Sequence, residues 1–177
     1  MYLSEFVMVR RMKLAAAFAL VVGLVGARAE DQQNEQPFDD ATFVKMAGID
    51  GMHEVELGKI GAEKAKNGDV KKFAEMMVTD HTKANEELKG AAKAAGLEVP
   101  SRLDEKHQKH VDMFKNYKGA NFDSDYMKHM VTDHTQAVTL FTRASKELKN
   151  KELKDFATKT LPVIQGHLEM AKKLQKE

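Results

Sequence analysis

The hexapeptide MVTDHT occurs twice in this chain, at residues 77–82 and again at 130–135. Each copy carries an Asp-His pair, Asp80 with His81 and Asp133 with His134, and a methionine four residues ahead of the histidine, Met77 and Met130. Imidazole, carboxylate and thioether groups all bind transition metals, and a metal-bound imidazole usually donates its other N–H to a carboxylate. The repeat therefore points to metal ligation, with the histidines as ligands and Asp80 and Asp133 as outer-shell carboxylates. The chain has no cysteine, which excludes thiolate sites, disulfides and thiol nucleophiles together. It also lacks a serine nucleophile motif and a glycine-rich phosphate loop, so no catalytic residue is assigned and a non-enzymatic role is expected. Asn121, Asp123 and Asp125 open like a calcium loop, but Tyr126 replaces the required glycine and Thr132 the closing glutamate, so that reading is rejected.

The elements that must carry these residues are helical almost to the end of the chain. The first helix is expected from Ala41 to Lys66, stopped by Asn67 and Gly68. Asp69 is expected to cap a second helix to Ala95, ended by Gly96 and Pro100. Ser101, with Asp104 three residues on, resembles the cap of a shorter helix to Asn116. Asn121 or Asp123 caps a long helix to Leu148, and a last helix runs from Lys151 to Leu174, where Pro162 predicts a kink. Short links make two antiparallel hairpins, and the long link between them is the crossover of ferritin-like bundles. The expected fold is all-α: a ferritin-like four-helix bundle of two antiparallel hairpins joined by a long crossover with a short helix.

Apolar stripes place the histidines on the inward face. The second helix presents Val70, Phe73, Met77, Ala84, Leu88, Ala91 and Ala95, and His81 fills the gap in that stripe. The fourth presents Met127, Met130, Ala137, Phe141, Ala144 and Leu148, with His134 in the gap. The last presents Leu153, Phe156, Thr160, Ile164, Ala171 and Leu174, with His167 in the gap. On the first, Ala47, Glu54, Leu57 and Gly61 form a line with Glu54 near its middle.

Each long helix thus offers one metal-competent side chain near its midpoint, and midpoints share a layer whichever way the helices run. Glu54, His81, His134 and His167 are the candidate metal ligands. Each buried polar group costs a few kcal/mol, about 1–3, unless it is satisfied, and one ion satisfies four at once. Met77, Met130 and Met170 lie one turn from the three histidines and are candidate thioether ligands, which favour copper; as core filler they need no metal. The residues three before the histidines are Val78, Val131 and Ile164, so the Glu-x-x-His pairs of a di-iron centre are missing. One carboxylate with three imidazoles suits a single Zn, Cu or Fe ion. His107 and His110, spaced i, i+3 on the connecting helix, could hold a surface metal, but the run DEKHQKH reads more simply as a solvated face.

The N-terminal segment reads as a secretory leader. Arg10, Arg11 and Lys13 precede an apolar run from Leu14 to Val25, and Ala27 and Ala29 flank Arg28 as a small-residue cleavage site. The apolar run is too short for a stable bilayer span, so no stable membrane insertion is expected after cleavage. Residues 1–29 are assigned as signal peptide, 30–40 as a disordered lead-in and 41–175 as the bundle domain. A formal net charge of +1, evenly mixed, gives no footprint for nucleic acid.

The segments HEVELGKIGAEKAKNGDVKKFAEMMVTDHTKANEELK, GANFDSDYMKHMVTDH and DFATKTLPVIQGHLEMAKKLQ resemble the bacterial domain of unknown function 4142, whose members are described as predicted outer membrane proteins. The resemblance covers Phe43 to Leu174 and rests on Glu54, Asp80-His81, Phe122-Asp123 with Tyr126, Asp133-His134, and Leu161-Pro162 ahead of His167. It implies a ferritin-like fold and an exported protein.

Two functions follow from these readings. One is a periplasmic or envelope-associated bundle that binds a transition metal in its core, for metal handling or stress defence. The other is a metal-free helical interaction module with a buried His/Glu network and an unspecified protein partner. The leader generates its own prediction: mature protein begins at Glu30 and is released by osmotic shock. An intact mass retaining residues 1–29 in the membrane fraction would contradict it.

Overall fold

Among the described residues five helices form, α1 (Asp40–Lys64), α2 (Gly68–Ala94), α3 (Glu105–Lys115), α4 (Phe122–Glu147) and α5 (Lys151–Leu174). The computed structural model describes residues 38–176. The leader 1–29 and residues 30–37 of the expected lead-in lie outside the described residues. Among the described residues there is no strand, and the fold is all-helical and ferritin-like. Helix α3, 11 residues long, packs against α1, so the arrangement has five helices and is not a strict four-helix bundle.

Four of the five helix starts follow side-chain acceptors, though not always the expected ones. Helix α4 starts after Asn121 without a side-chain cap bond, and Asp123 lies inside its first turn. Asn67, read as a stop for α1, caps α2 by accepting from the N–H groups of Asp69 and Val70. Asp69 lies inside the first turn of α2. Asp104, not Ser101, caps α3 by accepting from the N–H of His107. Asn150 caps α5 through the N–H of Leu153. These carboxylate and amide oxygens satisfy N–H groups that a helix start leaves without intrahelical partners. Helix α2 ends where Gly96 takes φ 71°, with Leu97 N–H bonding back to the Ala92 carbonyl, a left-handed turn that suits glycine. Helix α5 runs through the exposed Pro162 as one element.

The last residues of the expected lead-in belong to the structured domain. Asp39 caps α1, and Phe38 packs on the core with Arg143 Cζ 4.3 Å from its ring centre. Asp40 accepts from the N–H groups of Lys149 and Asn150 at 3.0 and 3.1 Å, in the link between α4 and α5. Asp123, in the first turn of α4, does the same for Lys66 and Asn67 in the link between α1 and α2. Each link between paired helices is therefore held by a carboxylate from the first turn of a helix in the other pair.

Packing joins α1 to α2 and α4 to α5, with α2 against α5 and α1 against α4. The buried apolar residues fall into two clusters. One contains Phe43, Leu88, Phe141 and Phe156; the other contains Leu57, Phe73, Met77 and Met130. Along every long helix the polar residues fall between the two. Glu54 follows Ala47 and precedes Leu57; His81 lies between Met77 and Leu88; His134 between Met130 and Leu140; His167 between Ile164 and Ala171.

Close approach of α1 to α2 depends on Gly58. A Cβ there would lie 2.9 Å from the Ala74 carbonyl oxygen and 3.1 Å from the Val78 nitrogen, backbone atoms that move only if the helix moves. Gly58→Ala is expected to destabilise by about 1–3 kcal/mol, an overpacking cost. Gly90, on the exposed side of α2 with nothing within 4 Å, should respond oppositely. Gly90→Ala is expected to stabilise by about 1 kcal/mol through helix propensity. Urea unfolding of both variants checks the pair, and shifts of the same sign would refute the packing argument.

Candidate metal centre

His81 on α2, His134 on α4 and His167 on α5 converge, each offering a ligand atom within 4.8 Å of the other two. All three are buried, and their ring centres lie 5.5–5.6 Å apart. Two donors that each sit about 2 Å from one ion are about 3.3 Å apart, within the range that these ligand atoms span.

The hydrogen bonds decide which nitrogens are available. His134 Nδ1 lies 3.0 Å from the Met130 carbonyl, which can only accept, so Nδ1 carries the proton and Nε2 keeps its lone pair. His167 Nε2 lies 2.9 Å from Asp80 Oδ2, which places the proton on Nε2 and leaves Nδ1 bare. His134 Nε2, His167 Nδ1 and His81 Nε2 are all buried without a hydrogen-bond partner. Orphaned buried polar atoms are uncommon in folded proteins and call for a physical explanation. Outer nitrogen satisfied and inner nitrogen bare is the pattern of metal-binding imidazoles.

The environment keeps these rings neutral. Burial, then the neighbouring His134 and His167, holds His81 well below its ordinary range. Burial, then His167, takes His134 down to about 4. Burial also lowers His167, against the opposing pull of Asp80. A neutral imidazole is the ligating form, so no proton needs to leave these three rings before an ion binds at neutral pH.

Glu54 on α1 sits at the edge of this trio. Its Oε1 is 3.7 Å from His134 Nδ1, too long for a hydrogen bond, and its buried Oε2 has no partner. Burial raises its carboxyl well above the usual range, with Asp133 and Asp50 adding to the effect. Asp80 faces His167 across the helix pair and not its sequence neighbour His81. Asp133 turns away to a different group: its Oδ2 is 3.5 Å from His53 Nδ1 and 3.1 Å from His129 Nε2. Met77 and Met130 are fully buried, but Met170 is 40 % exposed, because three residues fall about 60° short of a full turn and carry it off the buried stripe of His167.

That different group is His53 on α1, His110 on α3 and His129 on α4, again with ligand atoms within 4.8 Å of one another. The reading of DEKHQKH as a solvated face is corrected here. His110 belongs to this trio, and the side chain of His107 is only 18 % exposed, wedged beside His53 at a ring separation of 4.9 Å. His53 and His129 carried a weak signal in sequence: one precedes Glu54, and the other lies one turn before Asp133. Both trios line one cavity of about 200 Å³.

A family model for a domain of unknown function, DUF4142, matches residues 25–174. This chain belongs to the DUF4142 family. No curated protein matches this DUF4142 chain. Among solved structures it is similar to one described as CopM in the Cu(II)-bound form, with 16 % identity and a TM-score of 0.64. That match covers 78 % of this chain and 98 % of the other. At that identity the likeness is one of fold. Among the described residues of the DUF4142 domain, no helix is long and apolar enough to cross a membrane.

The tautomers are directly measurable. In metal-free protein at neutral pH, long-range ¹⁵N NMR should find His134 protonated at Nδ1 and His167 at Nε2. The opposite assignment for His134 would remove its bare inward nitrogen.

Proposed function

We propose that this chain is an exported metal-handling protein that binds one transition-metal ion in its core through His81, His134 and His167, with Glu54 as the fourth donor. The four long helices then act as two antiparallel hairpins, joined by the crossover that carries α3, with the ion between them. The observation that carries this reading is the set of three buried imidazoles from three helices, each with an unpartnered nitrogen. A metal-free polar network is less well supported, since a network would pair those nitrogens with one another or with Glu54. Asp80 holds His167 from behind, and Met77 and Met130 line the layer as apolar packing against the imidazoles.

Imidazoles with one carboxylate suit Zn, Cu or Fe, and for such donor sets divalent copper binds more tightly than zinc or iron. The Cu(II)-bound form named for the CopM structure is in keeping with that order. Neither hydrolytic nor redox turnover is part of the proposal: four protein donors would fill a tetrahedral site and leave no open position. Export by the leader 1–29 would place the protein in the periplasm or envelope, for metal handling or stress defence.

His134→Leu keeps most of the volume and removes a ligand. Wild-type protein purified without chelator is expected to carry stoichiometric metal and to lose several degrees of Tm on chelation, since an ion that binds only the folded chain stabilises it by mass action. The Leu variant should lose that ion and the associated chelator effect. Its own stability could equal or exceed that of stripped wild type, as happens when buried polar sets are replaced by apolar side chains. Wild type that carries no metal and melts identically with and without chelator would decide for the metal-free network.

A further inference from the structure

His53, His110 and His129 share no residue with the proposed core site, yet they repeat its pattern at the partly exposed end of the same cavity. His53 is 3 % exposed, and its Nε2 is buried without a partner. His129 Nε2 is also buried and unpartnered by any aligned hydrogen bond, although Asp133 Oδ2 lies 3.1 Å away. An imidazole nitrogen and a carboxylate oxygen about 3 Å apart and out of line have the spacing of two donors on one ion, each about 2 Å from it. The rings of His53, His110 and His129 lie 5.3–5.9 Å apart, centre to centre. His107 is placed differently: Nδ1 is 2.7 Å from Asp104 and Nε2 is 3.4 Å from Asp50, so both its nitrogens face carboxylates. It buttresses His53 and offers no free donor.

We propose that His53, His110 and His129, with Asp133, form a second transition-metal site on this chain. Three imidazoles and a carboxylate select a borderline divalent ion such as Zn(II) or Cu(II) over magnesium or calcium, which prefer all-oxygen shells. The ligands come from α1, α3 and α4, so a bound ion ties α3 to the body of the domain. His110 and His129 are only partly buried, which gives this site the more direct access to solvent. Core and outer sites meet along α1 and α4, where His53 adjoins Glu54 and Asp133 adjoins His134.

The test is calorimetric titration of the metal-stripped, full-length mature protein with Zn(II). Two ions per chain are expected for wild type, and one for His110→Ala, which retains the core ion. His134→Leu should also bind one ion, held by the outer site, so failure of the core site and failure of the outer site give different results. Because His110→Ala could loosen α3 itself, His129→Gln on α4 provides a second variant with the same expected loss. Hydrogen exchange adds a structural readout: amides of residues 105–115 should be protected by Zn(II) in wild type and His134→Leu, and unprotected in His110→Ala. If His110→Ala and His129→Gln take up as many ions as wild type, or zinc leaves α3 exchange unchanged in wild type, the second site is overturned.

Discussion

Desolvation of the imidazole layer is the constraint on which the rest of the domain depends. The core is two apolar clusters, and the four long helices place His81, His134, His167 and Glu54 between them, away from water. A polar atom in such a place costs about 1–3 kcal/mol unless it is paired. Some of that cost is met internally: the Met130 carbonyl takes His134 Nδ1–H, and Asp80 takes His167 Nε2–H. The inward nitrogens have no such partner, and burial keeps them unprotonated. Stability and ligand affinity are thus opposed in the metal-free chain. Each unpaired nitrogen weakens the core and leaves a lone pair ready for an ion.

The geometry of the α-helix explains how two trios arise from neighbouring residues. Successive side chains differ by about 100° around the axis, so His53 and Glu54, or Asp133 and His134, address different partners from one turn. Helices α1 and α4 therefore carry residues of both groups, and the two trios line a common cavity. The repeated hexapeptide does not impose a repeated role. Asp80 reaches His167 in the core trio, whereas Asp133 serves His53 and His129. Identical sequence on α2 and α4 meets different neighbours.

Rigid placement of these side chains is a matter of the helix links. Asp40 and Asp123 clamp the two short links from opposite pairs, which fixes the helices relative to each other at their ends. Gly58 lets α1 and α2 approach at backbone contact. Histidine rings that must meet within a few ångströms from three helices need that precision. Helix α3 has a different character: it packs on α1 and brings His110 to a partly exposed edge.

Helical class, helix number and the inward histidines were legible because 3.6-residue periodicity is a local property of the chain. The gaps at positions 81, 134 and 167 in otherwise apolar stripes, and Glu54 in the line from Ala47 to Gly61, follow from that period alone. Cap residues were recognised by type, but Asn67 and Asp104 were displaced to Asp69 and Ser101, since several acceptors compete near each start. The second trio was barely legible, with His107 and His110 standing out only as a spaced pair on one short helix. His53, His110 and His129 come from three helices, and their meeting depends on how α3 docks across α1 and α4, which no local pattern encodes. For the same reason, sequence could nominate Asp80 and Asp133 as carboxylates near a metal, but not their imidazoles. Adjacency along a helix separates two side chains, and only packing between helices decides which ones touch.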